Sequence, residues 1–313
     1  MANIKEIRDR IDSVKETRKI TNAMYLISST KLRKARKVLA DTEPFFYASR
    51  DMIASVVKNL PEGVENIFLE TRQDIPEKNR KRGYIIITDD RGMVGSYNHN
   101  VIKAVDDSIE AFQGQWKLFV IGDIGRHHYT SQNIDVEEYF AFTSETPTLH
   151  RARKIAAEIL DYYYERKIDE FYIVYTTMKG MSTEANMEKL LPLDIITDIR
   201  RQITKPGQLN EELLMDPSPS AILNNIVPNY ITGFIYGALV ESFSSAHNAR
   251  MLAMDSANKN ADKMINTLTR NYNTLRQALI TQEITEVVSG AKALKRAKDT
   301  KNRKKKSEAE AKN

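Results

Sequence analysis

Two stretches, one at each end of the chain, carry apolar residues at alternating spacings of three and four. In the first stretch, residues 4–39, eight of eleven such positions are apolar or aromatic. The positions are Ile4, Ile7, Ile11, Val14, Arg18, Thr21, Tyr25, Ser28, Leu32, Ala35 and Leu39. A repeat sustained over so many heptads predicts a coiled-coil seam, with an amphipathic helix packed on a globular core as the alternative.

The second stretch lies in a segment without helix breakers, since residues 238–289 contain neither glycine nor proline. Its seam positions are Met251, Met254, Asn258, Ala261, Ile265, Leu268, Tyr272, Leu275 and Leu279. At 1.5 Å per residue this segment could reach ~78 Å, and residues 1–43 could reach ~65 Å. Two such helices at opposite ends of one chain predict a single antiparallel coiled coil, connected by the middle of the protein.

The outer face of the second helix is unusually neutral, because residues 251–282 hold only six charged side chains. Free coiled coils normally carry glutamate and lysine beside the seam. A sheath of small uncharged side chains suits a shaft that other protein encloses without fixing it in one orientation. An ordinary hydrated coil is the alternative.

The middle of the chain alternates short apolar runs with helical patterns, which predicts an α/β domain with a largely parallel sheet. The predicted strands are 81–88, 116–122, 136–140 and 170–177, with a short further strand at 188–193. The predicted helices are 98–112, 123–131 and 149–166. Residues 200–220 contain three prolines and a glycine and are predicted to form a loop, after which a helix resumes near Ala221.

The net charge of +5 comes from the carboxyl end. Residues 295–313 carry nine Lys or Arg against three acids, so the tail is at +6 and the body, residues 1–294, at 5 − 6 = −1. Binding to nucleic acid would therefore depend on the tail and one basic patch. The absence of cysteine excludes disulfides and thiolate metal sites. The amino end lacks the apolar core of a secretory signal, and no run approaches the ~18 apolar residues of a membrane span.

The segment TDDRGMVGSYN at 88–98 follows a predicted strand and precedes a predicted helix, where a phosphate-binding loop would lie. It contains only a GxxG pattern, Gly92 and Gly95, so a structural turn with close backbone packing is favoured over a nucleotide site. On a strand, the adjacent Asp89 and Asp90 would point to opposite faces and could not act as an acid–base pair.

Nothing else in the sequence indicates an active site. His127 and His128 are adjacent, without a third ligand at metal spacing, and the other histidines are isolated. We therefore expect no catalytic residues, no metal and no cofactor. The patch KLRKARK at 31–37 places five cations in seven residues, either as a solvated helix face or as a surface for an acidic protein partner.

Three blocks of the sequence resemble the gamma-subunit family of the bacterial-type rotary ATP synthases, and the resemblance covers roughly residues 1–294. They are IKEIRDRIDSVKETRKITNAM at 4–24, ITDDRGMVGSYN at 87–98, and AHNARMLAMDSANKNAD with RQALITQEITEVVSGAKAL at 246–262 and 276–294. The last block is the most specific of the three.

The resemblance implies a fold in which the two termini form an antiparallel coiled coil and the middle a Rossmann-like α/β domain. It implies a non-catalytic rotor subunit that transmits rotation of a membrane c-ring to the catalytic beta subunits of an alpha/beta hexamer, for ATP synthesis or hydrolysis. The implied partners are that hexamer, the epsilon subunit and the c-ring, with no nucleic acid and no small-molecule substrate. The implied location is peripheral, on the cytoplasmic face of a bacterial cell membrane.

The resemblance also suggests which residues contact these partners. Arg276, Gln277 and Thr281 in RQALIT, together with Met24 in ITNAM, match family positions that contact the beta subunits. The loop EELLMDPSPS at 211–220 resembles the family segment near the ring. Its candidates for contact with the c-ring or epsilon subunit are Met215 and Asp216.

Some positions depart from the family pattern. Ser96 stands where a glycine is usual, Val94 where a cysteine is frequent, and Ala246 where an acid is common. The implied division is an N-terminal helix at 1–60, an α/β domain at 61–200, a connecting loop and helix at 201–237, a C-terminal helix at 238–294 and a disordered basic tail at 295–313. Two alternatives stay open: a coiled-coil adaptor carrying a ligand- or nucleotide-binding α/β domain, and a nucleic-acid-binding protein with a basic tail.

Overall fold

The computed structural model forms two compact units, residues 1–23 with 255–313 (the terminal unit) and residues 24–254 (the central unit). The described residues are 4–60, 66–70, 72, 75–180, 182–193 and 218–310. Met215 and Asp216, the predicted contacts to the ring, lie outside them.

Two long helices begin and end the described chain: α1, Ile4–Lys58, and α5, Pro219–Glu310. Helix α5 includes residues 295–310, for which the sequence analysis expected a disordered tail. Lys, Arg, Ala and Glu, which dominate the tail, are good helix formers, and only Gly and Pro strongly oppose a helix.

Within the terminal unit the two helices run antiparallel, as the heptad spacing predicts. The Thr21 hydroxyl donates to the side chain of Asn258, and Arg18 Nε lies 2.9 Å from Asp262 Oδ1. The partner number therefore rises along α5 as it falls along α1. Ile7 and Ile11 are buried in this seam. Burial of an isoleucine side chain contributes about 1.5–3 kcal/mol, more than an exposed ion pair such as Arg18–Asp262.

The central unit contains a four-stranded sheet in the order β2-β1-β3-β4. The strands are β1, Lys81–Ile87; β2, Gln115–Ile121; β3, Glu170–Lys179; and β4, Ser182–Leu191. Strand β1 pairs in parallel with β2 and β3, and β4 pairs antiparallel with β3. The sheet is thus largely parallel, as predicted. Strand β4 starts directly after a hairpin turn at Gly180, which has a φ of +66°. It is therefore longer than the short strand expected at 188–193.

The predicted strand at 136–140 is absent from the described sheet. Only isolated parallel bridges link this region to β2, Leu118 to Val136 and Ile121 to Phe142. Phe140 is fully buried against the Phe119 ring, and residues 138 and 139 form a turn. Residues 136–140 therefore form a segment that contacts the edge strand β2 only through isolated bridges and then turns to bury the Phe140 ring.

Helices cover both faces of the sheet. On one face, α2 (Tyr97–Ala111) and α3 (Asp123–Ser131) pack on a core that includes Tyr84 and Ile86. On the other, α4 (Leu149–Tyr164), α1 and the first turns of α5 pack on a core that includes Ile85 and Ile87. Because consecutive residues of a strand point to opposite faces, the isoleucine-rich run of β1 serves both cores. This three-layer arrangement confirms the α/β class.

Candidate partner-binding surfaces and the Arg250 joint

The three predicted hexamer contacts on α5 are all solvent-exposed. Arg276, Gln277 and Thr281 lie on the outer surface of the terminal unit, consistent with side chains available to a partner. The Thr281 hydroxyl donates to the backbone oxygen of Gln277 at 2.9 Å, so its hydrogen is already used within the helix. The Arg276 guanidinium has no ion pair with another described residue.

Helix α5 continues past the point where α1 begins. Arg18 pairs with Asp262, and in an antiparallel pair each step back along α1 corresponds to one step forward along α5. Ile4 therefore lies opposite a position near Leu275. None of the described residues of α1 lies opposite the positions beyond it, and Leu279, expected in the seam, is 46% exposed. Beyond it the apolar pattern persists without cover, and Val287 is 72% exposed. The exposed apolar side chains of this segment are Leu279, Ile280, Ile284, Val287, Val288 and Leu294.

The turn after β1 does not have the tight packing predicted for its glycines. No heavy atom would lie within 4 Å of a Cβ added to Gly92 or Gly95. Gly95 has a φ of +60°, which suits glycine, and Met93 also adopts a positive φ of +64°. Gly95 therefore suits the path of the chain through the turn, and neither glycine is needed for a close approach of two backbones.

The turn receives an arginine from α5. Arg250 Nη2 donates to Asp89 Oδ2, and it also approaches the carbonyl oxygens of Arg91 and Gly92 at 3.3 and 3.4 Å. Both charged side chains are about nine-tenths buried. On the other side, the backbone N–H of Asp89 donates to Asn98 Oδ1 at 2.8 Å. The turn thus presents oxygens to a cation, whereas a phosphate loop presents N–H groups to an anion.

The same stretch of α5 lies across the carboxyl ends of β1 and β3. The Ser242 hydroxyl accepts from the backbone N–H of Thr176 at 3.3 Å, and the Ser245 hydroxyl donates to the Thr176 carbonyl at 3.0 Å. The Tyr97 hydroxyl donates to the Ser242 carbonyl. Since β1 is followed by β2 on one side and has β3 on the other, this is the crevice where doubly wound sheets bind ligands. Here residues 242–250 of the protein's own helix lie in it and form hydrogen bonds to the ends of both strands.

His247 lies beside the arginine and is neutral at ordinary pH. Burial, with the nearby cations Arg250, Lys31 and Arg91, lowers the pKa of His247 to about 3. Arg250 Nη1 lies 3.3 Å from His247 Nδ1, a contact in which the guanidinium donates to an unprotonated ring nitrogen. Burial raises the pKa of the Asp89 carboxyl, against the opposing effect of the Arg250 charge.

Met24 lies in the central unit and borders a cavity next to this joint. The cavity has a volume of about 120 Å³. Its lining residues are Met24, Ile27, Ser28, Lys31, Asp89, Arg91, Met93, Glu145, Phe243, His247 and Arg250. The structure thus brings one predicted contact residue together with a buried ion pair that sequence reasoning missed. The only sequence signal for that pair was the Asp89–Asp90 doublet directly after a strand.

The two aspartates do diverge, as expected. Asp90 Oδ1 accepts from the backbone N–H of Asp123 at 3.1 Å, and Asp90 Oδ2 accepts from that of Glu145 at 2.9 Å. Asp90 therefore organises neighbouring loops, while Asp89 pairs with Arg250.

The basic patch at 31–37 lies as its spacing predicts, with Leu32 and Ala35 buried and Arg33, Lys34, Arg36 and Lys37 exposed. Among the described residues, no three His, Cys, Asp or Glu side chains cluster as metal ligands would. In the same part of the chain, no helix has the length and apolar character needed to cross a membrane.

Comparison with known proteins identifies the family. A family profile described as ATP synthase matches residues 3–294. An ATP synthase gamma chain of Caldanaerobacter subterraneus subsp. tengcongensis is 42% identical over 295 residues, spanning 92% of this chain and 98% of that one. A sodium ion specific ATP synthase gamma chain of Acetobacterium woodii is 36% identical over 305 residues, spanning 93% and 99%.

The fold agrees with solved structures at much lower sequence identity. One chain of the OSCP/F1/c-ring structure of the Euglena gracilis mitochondrial ATP synthase superposes with a TM-score of 0.64 at 19% identity. The match covers 93% of this chain and 94% of that one. A chain of the rotor of the same enzyme gives a TM-score of 0.62 at 18% identity, covering 88% and 98%. The profile match and the near full-length relatives confirm the resemblance seen in the sequence: this chain belongs to the ATP synthase gamma-chain family.

Proposed function

We propose that this chain is the central rotor shaft of an ATP synthase and couples rotation of a membrane c-ring to conformational changes at the catalytic beta subunits. It is a non-catalytic subunit whose partners are the alpha/beta hexamer, the epsilon subunit and the c-ring. The carrying observation is the segment of α5 beyond residue 275, a single helix with exposed apolar side chains. Such a stripe needs a protein partner, because contiguous exposed apolar surface is otherwise disfavoured in water.

Coupling by rotation requires one asymmetric shaft facing several equivalent sites. A shaft can shift the conformation of a catalytic site only if it contacts the alternative states of that site differently. Arg276 and Gln277 are suited to such contacts, because a guanidinium offers five donors and can exchange one carboxylate or carbonyl for another as the shaft turns. Each contact must remain weak, since a preference of about 5.5 kcal/mol would already change the ratio of two orientations by about 10⁴-fold.

The experiment is mutation of this contact in the assembled complex. Arg276→Ala and Gln277→Leu should each lower multisite ATP hydrolysis and ATP-driven ion pumping without preventing assembly. Binding of nucleotide to one site should change little, because the contact acts between sites. A correctly assembled double variant with unchanged turnover would exclude these residues from coupling. Lys103→Ala, an exposed position on α2, is the control.

The rest of the proposed assembly follows from the family pattern. The protein acts as a peripheral subunit on the cytoplasmic face of a bacterial cell membrane, and the translocated ion is a proton or a sodium ion. Met215 and Asp216 contact the c-ring or the epsilon subunit. In the assembled complex, a cysteine crosslinker attached through Met215→Cys should capture a ring or epsilon subunit, and capture of alpha or beta alone would refute this placement. Dependence of ATP-driven pumping on added sodium would decide the ion.

A further inference from the structure

The contacts between α5 and the sheet, here called the joint, change from apolar to polar along the helix. Between residues 223 and 239, α5 packs on the sheet through fully or nearly fully buried apolar side chains such as Leu223, Val227 and Ile231. From Ser242 to Arg250 the contacts become hydrogen bonds and an ion pair. Apolar packing has no directional preference, whereas hydrogen bonds weaken steeply when their angles change. The second group therefore resists turning of the helix in a way that the first does not.

The polar contacts also hold α5 from more than one side. At 3.6 residues per turn, positions 245 and 250 lie about 140° apart around the helix axis, with position 242 between them. Ser242 and Ser245 are held by the backbone of Thr176 in β3, and Arg250 is held by Asp89 after β1. A helix held at points so widely separated around its circumference cannot rotate about its axis without breaking at least one of them.

The buried ion pair is the strongest of these contacts. Asp89 and Arg250 are 161 residues apart in sequence, and the guanidinium also approaches two backbone carbonyls of the turn. Hydrogen bonds between ionised groups are roughly twice as strong as neutral ones. Removing one member would leave the other charge buried and unpaired, so the pair fixes a single arrangement of helix and turn.

We propose that the contacts of residues 242–250 with the sheet, above all the Asp89–Arg250 ion pair, lock the rotational register of α5 against the α/β sheet. Torque applied to the α/β layer is then transmitted to the remainder of α5. The inference rests on the rotor function proposed above. Under this proposal, the crevice at the ends of β1 and β3 has a mechanical role in this chain, because it holds the segment from Ser242 to Arg250 of α5.

The test measures torsional stiffness in the complete complex. The chain has no cysteine, so Lys103→Cys on α2 gives this chain a single attachment point for a bead while the hexamer is fixed to a surface. Asp89→Asn keeps the shape of the side chain and removes its charge. Asp107→Asn, an exposed acid on α2, is the matched control.

Because Asp89→Asn removes the anion and leaves the Arg250 guanidinium buried opposite a neutral amide, the variance of the bead angle between steps should rise by up to about twofold. It should not change in Asp107→Asn. Ion pumping per ATP hydrolysed should fall against an opposing ion gradient. Equal variance in Asp89→Asn and the control would overturn the proposal. If Asp89→Asn does not assemble, Ser245→Ala decides by the same comparison, since it removes one neutral hydrogen bond and no charge.

The outcomes separate the joint from the rotor function itself. A bead on the otherwise unchanged complex that fails to rotate during ATP hydrolysis would refute the rotor function. Rotation with unaltered stiffness in Asp89→Asn would refute only the role of the joint.

Discussion

The seam of the terminal unit can be tested with two isoleucines of the same helix. Ile11 is 8% exposed in the interface with α5, whereas Ile20 is 62% exposed on the outer surface of α1. Replacement of a buried isoleucine by alanine costs about 2–5 kcal/mol, and a two-helix seam that can partly relax belongs near the lower end, about 2–3 kcal/mol. Ile20→Ala should cost less than about 0.5 kcal/mol.

The assay is amide hydrogen exchange of the purified chain, followed for the peptides that cover residues 4–23 and 255–275. Exchange through local opening reports the free energy of that opening, so Ile11→Ala should accelerate it by about 30- to 150-fold and Ile20→Ala by no more than about twofold. Similar acceleration by both substitutions would refute the register described here. Acceleration by Ile20→Ala alone would place the seam on the opposite face of α1.

Two further predictions concern the central unit. The folded-state pKa of His247, about 3, lies below its ordinary value of 6.5, so the unfolded chain binds the proton first as pH falls. The contribution of neutral His247 to the free energy of unfolding should therefore be complete above pH about 6.5 and should decrease by about 1–2 kcal/mol towards pH 5. Urea unfolding measured at several pH values should show this loss in the unaltered chain and not in His247→Gln. Gly122 has a φ of +99°, and a Cβ there would meet the Thr88 carbonyl. Gly122→Ala should thus lower the unfolding free energy by at least about 1–3 kcal/mol, while Gly92→Ala, with open space around it, should cost less.

Local patterns predicted most of the architecture because they report directly on burial. The three–four spacing identified Ile7 and Ile11 as seam residues, and the isoleucine run at 81–88 identified the strand β1. The same logic failed at 136–140, where an apolar pattern reflects a single buried ring, Phe140, and not a paired strand. It also placed Leu279 in the seam, because spacing on one helix does not reveal where its partner begins.

The joint was not predictable from local patterns. Asp89 and Arg250 are 161 residues apart in the chain, so no local pattern pairs them. A buried ion pair depends on the tertiary fold to bring two charges together. The sequence showed only that Asp89 follows a strand and that Arg250 lies in a helix. The predicted contacts Arg276, Gln277 and Thr281 came from the family resemblance, and their exposure is compatible with that role without testing it.

The central claim is that this chain turns inside a hexamer, and the most direct measurement is observation of that rotation. A bead is attached through Lys103→Cys in a purified complex whose hexamer is immobilised, and ATP is then added. We predict rotation in one direction, with three pauses per turn, because one asymmetric helix pair faces three equivalent catalytic sites in succession. ATP hydrolysis at a normal rate with a stationary bead, or a hexamer that purifies without this chain, would contradict the account.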